Sequence, residues 1–282
     1  MISDDKSANR AYDSFAPVYD AWNAQNDYKM WLGQILLPEL KKLGLAKGGW
    51  VLDIGCGTGR AFDALLREGW KVVGCDLSPE MLREAERKYG SKVALLELDA
   101  RRLPPIAAPG YFDRNGFQLV LLLNDVINYL IDDGDLAKVF AGVRRNLGAG
   151  GLVAFDSNTL SLFRESYSID SAEQRKIKGW SWRGIARDIR PGGVFEGVLS
   201  GKDFHTHRQR HWLPAEILGS LRATGFQVEA VLGQREEGDQ IVLSQEPDEG
   251  RDAKVLYFAR LPVDDPPEPP ESTLDISPVL EI

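Results

Sequence analysis

The feature that most restricts the fold of this 282-residue chain is a short apolar run that stops at three closely spaced glycines. Residues 51–59 read VLDIGCGTG, and a helical pattern follows over residues 61–68. Glycine permits positive φ angles and a close backbone approach that a Cβ would prevent. A buried strand, a glycine turn and a helix in this order present helix N-terminal amides to a ligand. The segment therefore predicts the first unit of an α/β fold, with a ligand crevice beside the glycines.

Strand and helix patterns continue to alternate after this turn, which is typical of a parallel sheet with crossover helices. We predict strands of the core at 50–54, 71–75, 93–98, 117–123, 152–155, 226–232 and 254–260. Helices are predicted at 61–68, 79–89, 136–147 and 214–224. Antiparallel strand patterns at 179–190 and 193–210 flank a Pro-Gly-Gly turn signal. The prediction is an α/β fold with a doubly wound, mostly parallel seven-stranded sheet and an inserted antiparallel β cap.

These patterns divide the chain into four parts. They are an N-terminal helical lid (1–45), a ligand-binding core (46–156 and 213–261), an inserted substrate cap (157–212) and an acidic, proline-rich tail (262–282). Prolines and like charges cannot bury a core, so the tail is expected to be disordered. The polar, acidic stretch 235–252 is expected to be a long loop between the last two strands.

Composition narrows the class of partner. The net charge is −8, but six acidic residues and no basic residue lie after Pro262, so the rest of the chain is nearly balanced. A balanced surface gives no bulk attraction to nucleic acid or anionic lipid, and we expect neither as a partner. No apolar run reaches membrane-spanning length, and the polar start predicts no signal peptide. The only cysteines, Cys56 and Cys75, fall in predicted core segments, which favours the reducing cytoplasm.

Three aspartates stand at or just past the ends of three successive predicted strands. They are Asp53, Asp76 and Asp99. The carboxyl ends of parallel strands face one crevice, so these side chains should lie together there. They would repel a diphosphate but suit a cationic ligand that carries a ribose. Arg60 also occupies the position where a dinucleotide fingerprint needs its third glycine, which disfavours a nicotinamide oxidoreductase.

Three segments together resemble the successive motifs of class I S-adenosylmethionine-dependent methyltransferases. They read VLDIGCGTG (51–59), GCDLSPEML (74–82) and LELDA (96–100). The resemblance covers roughly residues 10–160, with a looser match to about residue 260, and it implies S-adenosylmethionine as the cofactor. The residues implied to bind the cofactor in these segments are Asp53, Gly55, Gly57, Gly59, Asp76, Leu77, Asp99 and Ala100.

The resemblance also implies a role for each of these residues. The glycines would line the methionine part of the cofactor, and Asp53 would reach its amino group. Asp76 would accept from both ribose hydroxyls, and Asp99 would accept from the adenine amino group. Leu77 and Ala100 would flank the adenine ring.

Two further segments resemble parts of small-molecule methyltransferases. The segment FAPVYD (15–20) resembles an N-terminal lid, in which Tyr19 is the first choice for a cofactor contact. Tyr12, Tyr28 and Trp31 are further candidates for this contact, but Tyr28 and Trp31, three residues apart, can equally be anchors of a lid helix. The second segment, LNDVINY (123–129), begins at the end of the fourth strand. The resemblance gives its Asn124 a position beside the transferred methyl group.

All three histidines fall within residues 204–212. On a strand, His205, His207 and His211 share one face with Gln209. One interpretation is a metal site, but no cysteine or clustered acid completes it, so no metal is predicted. A second makes His207 or His205 a general base that takes a proton from the methyl acceptor. A third is a hydrogen-bonded or solvated face of a cap strand.

The sequence predicts a methyltransferase that acts on nitrogen or oxygen of a small molecule, such as an amine, an amino sugar or another secondary metabolite. Methylation of a macromolecule, RNA or protein, is the nearest alternative. A cofactor-binding module without turnover is a second. The sequence does not decide the oligomeric state, and a homodimer stays open.

Overall fold

Apolar segments that are buried on both sides build the central sheet of the structure. The computed structural model describes residues 12–24, 28–45, 48–107, 116–171, 176–238, 240–264 and 272–276. In the first half the strands are β1 (Gly49–Ile54), β2 (Trp70–Asp76), β3 (Val93–Glu97), β4 (Ile106–Ala107), β5 (Phe117–Leu122) and β6 (Leu147–Asn158). The helices there are α1 (Ala16–Trp22), α2 (Tyr28–Trp31), α3 (Leu37–Lys42), α4 (Phe62–Arg67), α5 (Pro79–Tyr89) and α6 (Asp135–Asn146). A π-helical turn, Leu32–Leu36, joins α2 to α3.

The second half contains the cap and the strands that finish the sheet. Its strands are β7 (Lys176–Ile177), β8 (Trp180–Gly184), β9 (Val194–Ser200), β10 (Phe204–Arg210), β11 (Gln227–Glu237), β12 (Gln240–Ser244), β13 (Lys254–Arg260) and β14 (Leu274–Asp275). Its helices are α7 (Leu160–Tyr167) and α8 (Pro214–Ala223). None of the helices in the described part of the chain is long and apolar enough to cross a bilayer.

The main sheet has the strand order β12-β11-β13-β6-β5-β1-β2-β3. The strands from β6 to β3 in this order pair in parallel, whereas β13, β11 and β12 pair antiparallel. Side chains alternate between two apolar layers, since Leu52 packs in the layer that contains Phe140 and Val51 packs in the layer that contains Phe62. The predicted doubly wound, mostly parallel architecture is confirmed.

The sheet has eight strands, one more than the seven predicted. The additional strand is β12, which lies within the stretch 235–252 that was expected to be a loop and pairs with the end of β11. Its sequence, QIVLS, is a short apolar run between acidic segments. As an edge strand it needs only one partner, so a polar neighbourhood does not prevent its pairing.

The cap forms a separate antiparallel sheet with the order β10-β9-β8-β7, and it enters the chain between β6 and α8. The alternating stretch 193–210, predicted as one strand pattern, is two strands joined by a tight turn at 201–203, where the Gly201 amide donates to the Asp203 carbonyl at 2.9 Å. A Cβ at Gly197 would overlap the Trp182 ring, so glycine lets the tryptophan lie across β9.

Part of the tail is ordered, contrary to the disorder expected over 262–282. β14 pairs in parallel with β4, and Ile276 is fully buried in the core layer that contains Phe140. A proline-rich segment cannot build a core of its own. One of its apolar side chains can still pack into the core that the rest of the chain forms. The rest of the tail, residues 265–271 and 277–282, lies outside the described residues.

We expect Ile276→Ala to lower the free energy of unfolding by about 2–5 kcal/mol, because it removes a fully buried side chain and leaves a cavity. Urea denaturation followed by tryptophan fluorescence measures the change. Leu274→Ala is the matched control, since Leu274 is 39% exposed and two residues away. Equal stability of the two variants would contradict the docking of Ile276.

Candidate active site

A cavity of about 270 Å³ opens at the carboxyl ends of β1, β2 and β5. The lid, the core and the cap all contribute to its wall. Among the predicted site residues, its wall includes Tyr19, Asp53, Gly55, Gly57, Asp76, Leu77, Asp99, Ala100, Asn124 and His207. Two predicted residues, Gly59 and His205, are not among the residues that form this wall.

The three glycines of the loop after β1 have different structural tasks. Gly55, Gly57 and Gly59 all adopt positive φ angles, 69°, 53° and 75°. A Cβ at Gly59 would overlap the Phe62 ring, so this glycine lets α4 pack closely and does not face the cavity. A Cβ at Gly55 would overlap Val126, so the loop packs tightly against the segment that follows β5.

Asp76 is held at the end of β2 by backbone donors on both of its oxygens. Gly57 N donates to Oδ2 at 2.8 Å, and Ser78 N donates to Oδ1 at 2.9 Å. Burial raises the pKa of Asp76, although these backbone donors act in the opposite direction. Each carboxylate oxygen has a second lone pair, so the residue can still accept from hydroxyl groups of a ligand in the cavity.

Asp53 is the most deeply buried acid of the cavity wall, at 3% exposure. Burial, together with the nearby Asp76, raises the pKa of Asp53 to about 8. No side-chain hydrogen bond to Asp53 is present within the described ranges. An acid in this position favours a cationic ligand group, which would restore the charged carboxylate.

Asp99 lies in the cavity wall but is already paired. Its carboxylate accepts from the Arg101 amide at 2.9 Å and from Arg101 Nη2 at 2.8 Å. A bidentate arginine pair of this kind holds the carboxylate in one orientation. The sequence analysis did not identify Arg101. The signal that could have found it is its position, two residues after Asp99 in a short turn.

The lid is tied to the glycine loop and to α5 by side-chain contacts. Thr58 Oγ1 donates to Asp20 Oδ1 at 2.6 Å, and Ser78 Oγ donates to Asp13 Oδ1 at 2.7 Å. Tyr19 of α1 lies in the wall of the cavity, and its contact with the cofactor stays a prediction.

Tyr28 and Trp31, for which two roles were left open, lie in different places. Tyr28 forms part of the cavity wall and lies under the Arg60 guanidinium, 4.9 Å from its carbon to the ring centroid. Trp31 instead donates from Nε1 to Gln234 Oε1 at 2.7 Å, so it anchors α2 to the main sheet.

The predicted common face of His205, His207 and Gln209 is present on β10, with His211 directly after the strand, and each of the four side chains contacts a different part of the molecule. His205 Nε2 lies 2.6 Å from Ser14 Oγ of the lid, and His211 Nε2 lies 2.8 Å from Glu249 Oε2. Gln209 is hydrogen bonded to Asp125. No group of three or more histidine, cysteine or acidic side chains among the described residues could hold a metal ion.

His207 is the histidine that faces the cavity, where it meets two tyrosines. Tyr12 donates its hydroxyl to Tyr129 Oη at 2.6 Å, and Tyr129 Oη lies 3.1 Å from His207 Nδ1. The Nε2 atom of His207 is buried with no hydrogen-bond partner in the described part of the chain. Burial, with a smaller effect of His205, lowers the pKa of His207 to about 4. The imidazole is therefore neutral at pH 7, and sequence reasoning missed its partner Tyr129.

Comparison with known proteins points to one family. Residues 51–151 match a family model described as a methyltransferase domain. A relative from Bacillus subtilis, described as "Putative methyltransferase YqeM", is 28% identical over 228 residues. The match covers 78% of this chain and 88% of YqeM.

Solved structures share the fold. An S-adenosylmethionine-dependent methyltransferase from Clostridium acetobutylicum superposes with a TM-score of 0.66 at 23% identity, over 89% of this chain and 99% of that one. The sugar N-methyltransferase KedS8 from Streptoalloteichus gives a TM-score of 0.60 at 19% identity, over 89% and 92% of the two chains.

We expect the His207 imidazole to stay neutral down to about pH 5, because protonation would place an unpaired charge in a buried site. An NMR titration of the ¹⁵N-labelled histidine side chains measures this, with His207→Gln to assign the signal. In His205→Gln, the pKa of His207 should rise, since His205 contributes to lowering it. A titration midpoint for His207 near 6.5 would contradict the geometry.

Proposed function

We propose that this chain, a class I S-adenosylmethionine-dependent methyltransferase, transfers the methyl group of its cofactor to nitrogen or oxygen of a small molecule. The observation that carries the proposal is a cavity bordered by lid, core and cap together, with the buried Asp53 and the neutral imidazole of His207 both in its wall. A pocket bordered on three sides limits the water that reaches a bound substrate.

The residues present fit the cofactor in charge and shape. S-adenosylmethionine carries a sulfonium and an ammonium group against a single carboxylate. Asp53 would hold the ammonium group, and Asp76 would accept from the ribose hydroxyls. Leu77 and Ala100 offer apolar surface to the adenine ring, and Asp99 would have to share its Arg101-bound carboxylate with the adenine amino group. Tyr19 and the backbone of Asn124 would close the methionine end.

The bound cofactor supplies a methyl group activated by its positive sulfur. The protein must present an acceptor atom with a free lone pair, so a hydroxyl or ammonium group must lose a proton. His207 is the base that the geometry favours, because it is neutral, faces the cavity and is joined to the Tyr129 hydroxyl. His205 suits the role less well, since it contacts Ser14 and stacks on Trp180 with ring centroids 6.3 Å apart.

A small acceptor suits this site better than a macromolecule. The lid helix and the cap strand β10 both reach into the cavity wall, which leaves a pocket rather than an open groove. KedS8 methylates a sugar nitrogen, as its name states, and shares the fold. We therefore favour amines and amino sugars as acceptors. Cys56 and Cys75 are free buried thiols, which supports a reducing compartment such as the cytoplasm.

We expect Asp76→Ala to weaken the binding of S-adenosylhomocysteine by about 1–3 kcal/mol, because two hydroxyls would lose their acceptor. Isothermal titration calorimetry gives the dissociation constant. Glu246→Ala, which removes an exposed acid far along the sequence, is the control and should bind as the unchanged protein does. An unaltered dissociation constant in Asp76→Ala would rule out this role.

Binding of one S-adenosylhomocysteine at pH 7 should release about one proton from Asp53. The pKa of Asp53 is about 8 in the empty cavity, so the acid is mostly protonated there, and the ligand ammonium would lower that pKa. Affinity should consequently rise with pH, by up to about tenfold per unit below pH 8. Calorimetry in phosphate and in Tris separates the proton release from the binding heat. Asp53→Asn should abolish the difference between buffers, and its persistence would contradict the assignment.

Transfer of a labelled methyl group tests the whole proposal. The protein is incubated with methyl-labelled S-adenosylmethionine and separate pools of amines, amino sugars, phenols, bulk RNA and bulk protein. Label in a small-molecule pool, with kcat reduced more than KM by His207→Gln, is the expected result. Label only in RNA or protein would favour the macromolecular alternative. Tight cofactor binding with no transfer to any pool would favour a binding module.

A further inference from the structure

Two consecutive residues other than glycine adopt left-handed backbone conformations directly after β5. They are Asn124, with φ of 63°, and Asp125, with φ of 59°. Asparagine and aspartate adopt this region more readily than other residues with a Cβ, but two in sequence are uncommon and are stabilised by surrounding contacts. The turn is part of the site, because Asn124 lies in the cavity wall and Val126, the residue after the pair, packs against Gly55 of the glycine loop.

A buried polar cluster holds this turn from behind. The Asp125 amide donates to Asp156 Oδ2 at 3.1 Å. The Lys254 ammonium forms an ion pair with that same Asp156 oxygen and lies 4.0 Å from Asp125 Oδ1. The side chain of Asp156 is 2% exposed, and that of Lys254 is 20% exposed.

Lys254 is what allows two acids to lie together behind the turn. Asp125 and Asp156 would repel each other strongly at low dielectric if no cation stood between them. Without that cation, Asp125 would withdraw from Asp156, and the hydrogen bond from its amide would be lost.

Gln209 completes the cluster from the cap side. Its Nε2 donates to Asp125 Oδ2, and its Oε1 accepts from Asn158 Nδ2 at 3.1 Å. An amide suits the position because it must donate to one neighbour and accept from the other. The turn is thereby clamped between β6, the first residue of β13 and the cap strand β10.

We propose that Lys254 and Gln209 are positioning residues for methyl transfer, which hold the strained turn at Asn124 and Asp125 so that the methionine end of the site is formed before the cofactor binds. The role rests on the function proposed above, since it concerns the wall of the same cavity. Neither residue contacts the cavity in this role, because both act through Asp125.

The experiment measures the dissociation constant of S-adenosylhomocysteine by calorimetry. Lys254→Met should weaken binding by about tenfold or more, because it removes the cation that lies between the partly exposed Asp125 and the buried Asp156. Lys41→Met, at an exposed position at the end of α3, is the matched control and should bind as the unchanged protein does. Circular dichroism and thermal unfolding confirm that each variant is folded.

A glycine–alanine pair at position 125 separates positioning from general stability. Asp125→Gly and Asp125→Ala both remove the carboxylate, but only glycine adopts the left-handed conformation without strain. In the Lys254→Met background, the glycine variant should bind about fivefold or more tightly than the alanine variant. The two single variants make the same comparison with Lys254 in place, so the test does not depend on the stability of the double variants.

Equal affinities of Asp125→Gly and Asp125→Ala for S-adenosylhomocysteine, with and without Lys254→Met, would overturn the proposal. Unchanged binding by Lys254→Met alone would also overturn it. The starting protein distinguishes this result from a failure of the proposed function. If that protein does not bind S-adenosylhomocysteine, the proposed function and the positioning role both fall. If it binds and the variants behave alike, only the positioning role is wrong.

Discussion

The structure depends on the burial of carboxylates at the open edge of a parallel sheet. An acid in a low-dielectric site is stable only if donors or cations meet it, or if it keeps its proton. Asp76 is met by backbone amides, Asp99 by Arg101 and Asp156 by Lys254. Asp53 is the exception, because no side-chain hydrogen bond reaches it within the described residues, and its burial beside Asp76 raises its pKa to about 8.

The polar strand β10 joins the three parts of the molecule around that edge. Its inward-facing side chains reach the lid through His205, the cavity through His207 and the turn after β5 through Gln209. His211 adds a contact to the loop before β13. Two of the three histidines in and directly after β10, His205 and His211, therefore connect parts of the fold, and the third, His207, faces the cavity.

Sequence reasoning recovered what depends on local pattern. The doubly wound core, the strand ends that carry Asp53 and Asp76, and the common face of β10 all follow from periodicity and glycine placement. What it missed depends on partners distant in the chain. The pairing of β12, the docking of Ile276 and the tyrosine contact of His207 are decided by tertiary contacts that no short window contains. The left-handed turn at Asn124 and Asp125 contains no glycine, and the partners of Asp125 come from three strands that are distant in the chain.

The way the cap is inserted has a consequence for how such an enzyme can diversify. β6 and β13 pair through seven consecutive residues with no shift of register, from Lys254 opposite Asn158 to Arg260 opposite Leu152. The cap leaves and re-enters the core without interrupting this ladder. Changes in its outer strands therefore need not disturb the pairing of the main sheet, provided that the contacts of β10 are kept.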